Sequence, residues 1–188
     1  MSRIRNRIIA ISGKYGTGKD TLTYAIMKKL TERNFQVEHI KFADPLKKSC
    51  ALISGLPFED AYTDEGKSKM ISSLNMTMGR LQQVMGTILR EHLHPNIWIT
   101  PVIEFCKNNP NKYCIISDCR FPNEVKAIKE LGGIVIRINR KRENINLNGR
   151  DPNHISETAL DNFNNFDLVV ENNSTIDEMI DSVLNYLF

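Results

Sequence analysis

The sequence predicts a three-layer α/β fold around a five-stranded parallel sheet. Short β-branched runs alternate with longer segments of helical periodicity, the runs are apolar enough to be covered on both faces, and a glycine-punctuated turn follows the first of them. The expected strands are residues 7–12, 37–42, 113–117, 134–139 and 166–171. The expected helices are 19–33, 45–52, 80–92, 97–107, 122–131 and 175–187, the last with Ser174 as its N-cap. Two polar stretches read as mobile loops: 55–75, with Pro57 and Gly66, and 140–153, which is basic and asparagine-rich with Gly149 and Pro152. Neither reads as a linker, so 1–188 is expected to be one domain.

The first strand runs into Ser12-Gly13-Lys14-Tyr15-Gly16-Thr17-Gly18-Lys19-Asp20-Thr21, which matches G-x-x-x-x-G-K. Glycines at 13, 16 and 18 admit main-chain angles that a Cβ forbids, so successive N–H groups can turn inward on phosphate oxygens. The helix opening at Lys19 adds its positive end, and the Lys19 ammonium is a point charge for the β and γ phosphates of ATP. Gly13, Lys14, Gly16, Thr17, Gly18, Lys19, Asp20 and Thr21 are the expected ATP-binding residues. Where Ser or Thr ordinarily meets the accompanying Mg2+, this chain has Asp20 followed by Thr21, and either can be the metal-side group.

The third strand leads into Ser117-Asp118-Cys119-Arg120-Phe121-Pro122-Asn123-Glu124, an acid and an arginine at the sheet edge where α/β folds bind ligands. Asp118 is suited to orient magnesium-bound water or substrate, and Arg120 to hold a phosphate through two parallel bonds. The alternative is structural, with Asp118 capping the helix entered at Pro122 and Arg120 paired with Glu124. After the fourth strand, residues 137–150 carry four arginines and Lys141 against Glu143 alone. Phosphoryl transfer requires positive groups over the developing equatorial charge, and a closing basic loop supplies them.

Composition narrows the field. Hydrophobic residues make up 41% and charged residues 25%, which excludes a disordered or fibrous chain, and a formal net charge of +3 is too small for binding a nucleic-acid polymer by bulk electrostatics. Cys50, Cys106, Cys114 and Cys119 form no C-x-x-C pair and are read as reduced thiols. No apolar run is long enough for a signal peptide core or a membrane span, so a soluble, intracellular, cytoplasmic protein is expected. There is no T-K-x-D or N-K-x-D guanine-specificity motif and little room for helicase or motor machinery.

With these motifs in place, the sequence resembles the phage- and virus-type deoxynucleoside monophosphate kinases, P-loop enzymes of the nucleoside monophosphate kinase group. Five blocks carry the resemblance: the Gly13–Thr21 loop with its Lys-Asp-Thr ending; Phe42-Ala43-Asp44-Pro45-Leu46-Lys47; Leu81-Gln82-Gln83-Val84-Met85-Gly86-Thr87 with Arg90 and Trp98; Asp118 to Glu124; and Asp151-Pro152-Asn153-His154-Ile155-Ser156-Glu157-Thr158. The resemblance implies a P-loop sheet, an acceptor-binding helical region at about 44–100 and a basic lid at about 140–157. It implies Asp44, Gln82, Arg90 and Arg120 facing the monophosphate, Arg140 and Arg150 in the lid, and His154 stabilising the lid base. Lys19, Asp118, Arg120, Arg140 and Arg150 are then the catalytic set, with Asp20, Thr21 and Asp118 on the metal side. Asp44 as a helix cap, Gln82 and Arg90 as exposed helix positions, and Trp98 as a core residue are the structural alternatives.

The implied reaction is transfer of the ATP γ-phosphoryl group to a deoxynucleoside monophosphate with Mg2+; a homodimer is compatible with the sequence. Rivals are a phosphomevalonate kinase-like enzyme, a dephospho-coenzyme A kinase, whose loop normally ends in Lys-Ser/Thr, and a regulatory module that binds ATP without transferring it.

Overall fold

The computed structural model describes residues 7–141, 153 and 155–188. These divide into two compact units, Met1–Lys41 with Ile103–Phe188 and Phe42–Val102.

The first unit is built on a wholly parallel sheet of β1 (Ile8–Gly13), β2 (Val37–Ile40), β5 (Tyr113–Cys119), β6 (Ile134–Asn139) and β7 (Leu168–Glu171), in the order β2-β5-β1-β6-β7. Ile9, Ala10 and Ile11 in β1 and Ile115 and Ile116 in β5 are fully buried, as central parallel strands must be when helices cover both faces. Ile9, Ile11, Ile115, Ile136 and Ile138 form one apolar face with Leu22, Ile26 and Leu30 of α1 (Lys19–Glu32) and Met179, Val183 and Leu187 of α8 (Ile176–Leu187). The other face carries α6 (Pro122–Glu130), packed on β1 and β6 through buried Val125 and Ile128.

Several boundaries move for physical reasons. The third expected strand continues through Asp118 to Cys119: Ala10 pairs with Ile116 but Ser12 pairs with Cys119, so β5 spends one more residue than β1 between those pairs. Such a bulge re-aims side chains at the end of a strand. The last strand begins at Leu168 and not at 166, because Phe166 packs edge-on to Phe163 and the Asp167 carboxylate accepts the Val135 N–H at 2.8 Å. The cap of α8 is Thr175, whose hydroxyl accepts the Glu178 N–H, in place of Ser174. A short helix unmarked in the sequence, α7 (Ile155–Thr158), precedes β7.

The second unit holds α2 (Ala43–Ser54), a 3-10 turn (Phe58–Ala61), α3 (Asp64–Ser68), a small antiparallel pair of β3 (Met70–Ile71) and β4 (Met76–Thr77), and α4 (Met78–His92). Cys50, Ala51, Ala61, Ile71, Met78 and Leu81 form its core. A Cβ on Gly86 would lie 3.1 Å from the Leu46 side chain, so α2 and α4 meet at this glycine. The helix α5 (Thr100–Asn108) spans the division between the units. It starts three residues later than expected because Asn96 O accepts both the N–H and the hydroxyl of Thr100, and the Ile99 N–H as well.

The stretch 55–75 is therefore not the loop its polarity suggests. Thr63 caps α3 by accepting the Gly66 N–H at 3.0 Å, and the Asp60 carboxylate, largely buried, receives Lys69 Nζ at 2.8 and 3.0 Å. Its polar residues satisfy one another and the local main chain, a pattern that composition cannot distinguish from solvation.

Gly66 is the position on which this packing turns, since a Cβ there would stand 2.3 Å from Asp60 Cα and 2.4 Å from its carbonyl oxygen. Gly66→Ala is expected to destabilise the second unit by about 1–3 kcal/mol, the usual range for overpacking. Hydrogen exchange should show α3 and the β3–β4 pair losing protection while β1 and β5 keep theirs.

Candidate functional site

The turn between β1 and α1 is tied down from several directions. A Cβ on Gly13 would fall 2.6 Å from Thr17 Oγ1 and 2.8 Å from Ile138 O, so only glycine lets the loop fold back on the sheet edge. Gly18 occupies the N-cap of α1 with φ +97°, in the left-handed region that glycine tolerates. The Asn172 amide, buried at the end of β7, donates to Thr17 O at 3.0 Å, and Thr17 Oγ1 donates to Lys14 O at 2.9 Å. Arg140 Nη1 donates to Gly16 O at 3.1 Å.

Lys19 lies back across this turn with its ammonium donating to Lys14 O at 2.7 Å. Burial lowers its pKa to about 8, with Arg120 and Arg137 adding to the depression and Glu157 and Asp20 opposing it. A desolvated ammonium ringed by other cations is a site that favours an anion.

Arg120 lies just beyond β5. Its main-chain N–H and that of Phe121 both donate to Glu124 Oε2, at 2.6 and 3.0 Å, so buried Glu124 caps the start of α6. The guanidinium goes elsewhere: Arg120 Nη1 donates to Ser156 O at 3.2 Å and pairs with the Glu157 carboxylate. Glu157 Oε2 also accepts the Tyr15 N–H at 2.8 Å. Burial by itself pushes the Glu157 carboxyl up, but the Tyr15 amide, Arg120 and Lys19 outweigh it and hold the group below its ordinary range. The Arg120–Glu124 pairing that the sequence left open is thus made by the main chain, leaving the guanidinium for the loop side of the sheet.

Arg137, buried in β6, is a further charged residue in this cluster. It donates to Ser12 Oγ at 3.1 Å and to Asn139 Oδ1 at 3.3 Å, and lies 3.7 Å from Asp161 Oδ1. Burial lowers its pKa, with Asp161 the main opposing influence. Asp161 Oδ2 in turn takes Lys14 Nζ at 2.7 Å. Asp161 and Asn172 carry no recognisable motif, and Arg137, expected as one of the four arginines of the basic 137–150 stretch, is instead buried within β6. Only the fold brings them to the loop.

Of the expected site residues, Gly13, Lys14, Gly16, Thr17, Gly18 and Lys19 form this turn, with Arg120 and Arg140 beside it. Asp20 and Thr21 are exposed on the first turn of α1, and Asp118 is half-buried in the bulged end of β5. Arg150, His154 and most of the expected lid lie outside the described residues. Among the described residues there is no cluster of three His, Cys, Asp or Glu side chains able to hold a metal.

In the second unit, Asp44 sits within the first turn of α2, one residue inside the helix that was expected to start at Pro45, so it is not the cap. Tyr62 hydrogen-bonds it, and burial together with Asp44 pushes the Tyr62 phenol up to about 12. The Lys47 ammonium lies 4.6 Å from the Tyr62 ring centroid. Gln82 Nε2 donates to Ala61 O at 2.8 Å, which brings Gln82 to the residue preceding Tyr62. Gln82, Gly86 and Arg90 follow at spacings of four along one stripe of α4, and Arg90 Nη1 reaches Gly86 O at 3.4 Å. Trp98 is a core residue, 5% exposed, with Nε1 donating to Gly86 O at 3.3 Å.

Comparison with known proteins bears on these features together. The deoxynucleotide monophosphate kinase family model matches residues 58–183. A protein of Acanthamoeba polyphaga mimivirus, which carries the name deoxynucleotide monophosphate kinase as an inferred assignment, is 32% identical over 197 residues, covering 95% of this chain and 94% of its own length. Among solved structures, a sugar kinase from Janibacter sp. HTCC2649 is similar with a TM-score of 0.54 at 14% identity, covering 97% of this chain and 94% of that one. A gluconokinase from Sinorhizobium meliloti 1021 gives 0.50 at 14% identity, covering 95% and 90%. At that identity the two structures speak for the fold alone, helices around a parallel sheet. The extent of the family match and of the viral relative, joined to the glycine-rich turn and its ring of cations, shows that this chain belongs to the deoxynucleotide monophosphate kinase family.

Proposed function

We propose that the protein transfers the γ-phosphoryl group of ATP to a deoxynucleoside monophosphate, giving ADP and the deoxynucleoside diphosphate. The observation that carries this reading is the desolvated Lys19 ammonium, held against the loop main chain with Arg120 and Arg137 acting on it and Arg140 on the Gly16 carbonyl of the same loop. In the reaction the bond from Pγ to the β,γ-bridging oxygen breaks as an acceptor phosphate oxygen bonds to Pγ, and the bridging oxygen leaves with ADP. Lys19 stabilises charge on the β and γ oxygens and Arg120 charge on the transferred group, without reorganisation at the moment of transfer. The acceptor has an ionised oxygen, so positioning matters more than a strong base. Asp44, Gln82 and Arg90 are proposed to hold the monophosphate.

Asp20, Thr21 and Asp118 fit magnesium as hard oxygen donors, two of them exposed on the helix turn that follows the loop. Magnesium, bound with ATP, would supply charge neutralisation between the β and γ phosphates. The carboxylates would orient its water shell.

A coupled ADP-release assay across ribo- and deoxyribonucleoside monophosphates and phosphomevalonate tests the acceptor. Turnover with phosphomevalonate, or slow hydrolysis indifferent to every monophosphate, overturns the proposal. Lys19→Ala should lower kcat by about 10²-fold or more with the melting temperature preserved.

The depressed Lys19 pKa gives a pH signature with a definite sign. The ammonium is charged below about 8 and is lost above it in the free protein, so kcat/KM for ATP should fall as pH rises through about 8. Bound phosphates raise that pKa, so kcat should hold to higher pH. Coincident profiles for the two parameters would remove Lys19 from the binding step.

Arg120→Lys, which loses the planar fork, should lower kcat and raise KM for ATP more than KM for the monophosphate, and Arg120→Ala should do so further, by about tenfold for each 1.4 kcal/mol lost. Unchanged kinetics with a lower melting temperature would make Arg120 a purely structural residue.

A further inference from the structure

Glu157 is a carboxylate in an anion site. The Tyr15 N–H points at its Oε2 from within the glycine-rich turn at 2.8 Å, the Arg120 guanidinium pairs with its Oε1, and the Lys19 ammonium feels its charge. A loop amide, a guanidinium and the loop lysine are the three kinds of group that recognise a phosphoryl oxygen. The Glu157 side chain is 8% exposed, so the carboxylate is seated among these partners and not merely near them. The second carboxylate of the cluster is placed differently, since Asp161 meets Lys14 and Arg137.

We propose that Glu157 is an internal stand-in for a phosphoryl group: its carboxylate holds the Tyr15 amide and the Arg120 guanidinium until a polyphosphate displaces it. The inference rests on the reading of the turn as the ATP cradle. Before substrate arrives, the carboxylate offsets charge that would otherwise be buried unpaired, a costly state. When a polyphosphate enters, the same donors pass to its oxygens, and α7, which carries Glu157, is released from Arg120. Seating of the nucleotide and release of α7 are thereby one exchange of partners, paid for in affinity.

Titration calorimetry of the full chain with inorganic tripolyphosphate tests this. Glu157→Gln, which keeps the shape and removes the competing charge, should bind about tenfold more tightly than the parent, equivalent to about 1.4 kcal/mol. Asp161→Asn removes the same formal charge from the cluster without vacating the Tyr15 amide and should give a smaller gain. Equal gains from the two variants, or no gain from Glu157→Gln, would overturn the displacement while leaving the cradle in place. Absence of tripolyphosphate and ATP binding in both parent and Glu157→Gln would overturn the cradle reading itself, and the displacement with it. A measurement on the unaltered protein avoids dependence on the variants: at neutral pH the 13C resonance of the Glu157 carboxyl should move to that of a solvated glutamate as tripolyphosphate is added. A resonance that stays in place while tripolyphosphate binds would show the carboxylate still seated, and the proposal would fail.

Discussion

The first unit depends on gathering positive charge, part of it buried, beside the main chain of one loop. Lys19 lies against Lys14 O, Arg137 against Ser12, Arg140 against Gly16 O, and Arg120 at the end of the neighbouring strand. Burial is the main cost to these cations, visible in the depressed pKa values of Lys19 and Arg137, and Arg120 adds to both. Glu157 and Asp161, both following the fourth strand of the predicted order, relieve that cost in the free protein. On the proposed reading, such a cluster would store binding energy for an incoming polyanion, because desolvation has been met by the fold before the ligand arrives.

The sheet makes the cluster possible. With β1 between β5 and β6, the carboxyl ends of three strands deliver the glycine-rich turn, Asp118 with Arg120, and Arg137 with Arg140 to neighbouring positions. The extra residue of β5 near Ser117 and Asp118 alters side-chain direction where alternation would otherwise continue unbroken. Asn172, at the far end of β7, anchors the turn through Thr17 O, so the edge strand also contributes to the loop's shape. The second unit solves a separate problem, holding Asp44, Tyr62 and Gln82 in one patch through hydrogen bonds around Ala61 and Tyr62.

Much of this was legible in the sequence because it is local. Strand and helix alternation follows from periodicity, and the order of G-x-x-x-x-G-K after a strand and before a helix follows from the angles glycine permits. The five strands, the turn, and the placement of Asp118 and Arg120 at a strand end were all open to that kind of reasoning. The misreadings were local as well. The 55–75 stretch looked like a loop because its polar groups are satisfied by neighbours in space, Asp60 by Lys69 and Gly66 by Thr63, and composition records polarity without recording partners.

The sequence by itself determined the class of fold and the position of the glycine-rich turn between β1 and α1, since both rest on spacings within a few residues. Only the tertiary structure decided what balances the charge there. Glu157 and Asp161 meet the loop across more than 140 residues of chain, and Asn172 across 155. Tertiary structure likewise sent the Arg120 main chain to Glu124 and its guanidinium to Glu157, two partners that sequence spacing could not separate. Charge pairing at long separation leaves no period or motif in a chain, because it is selected by the geometry of the folded sheet and not by the neighbours of either residue.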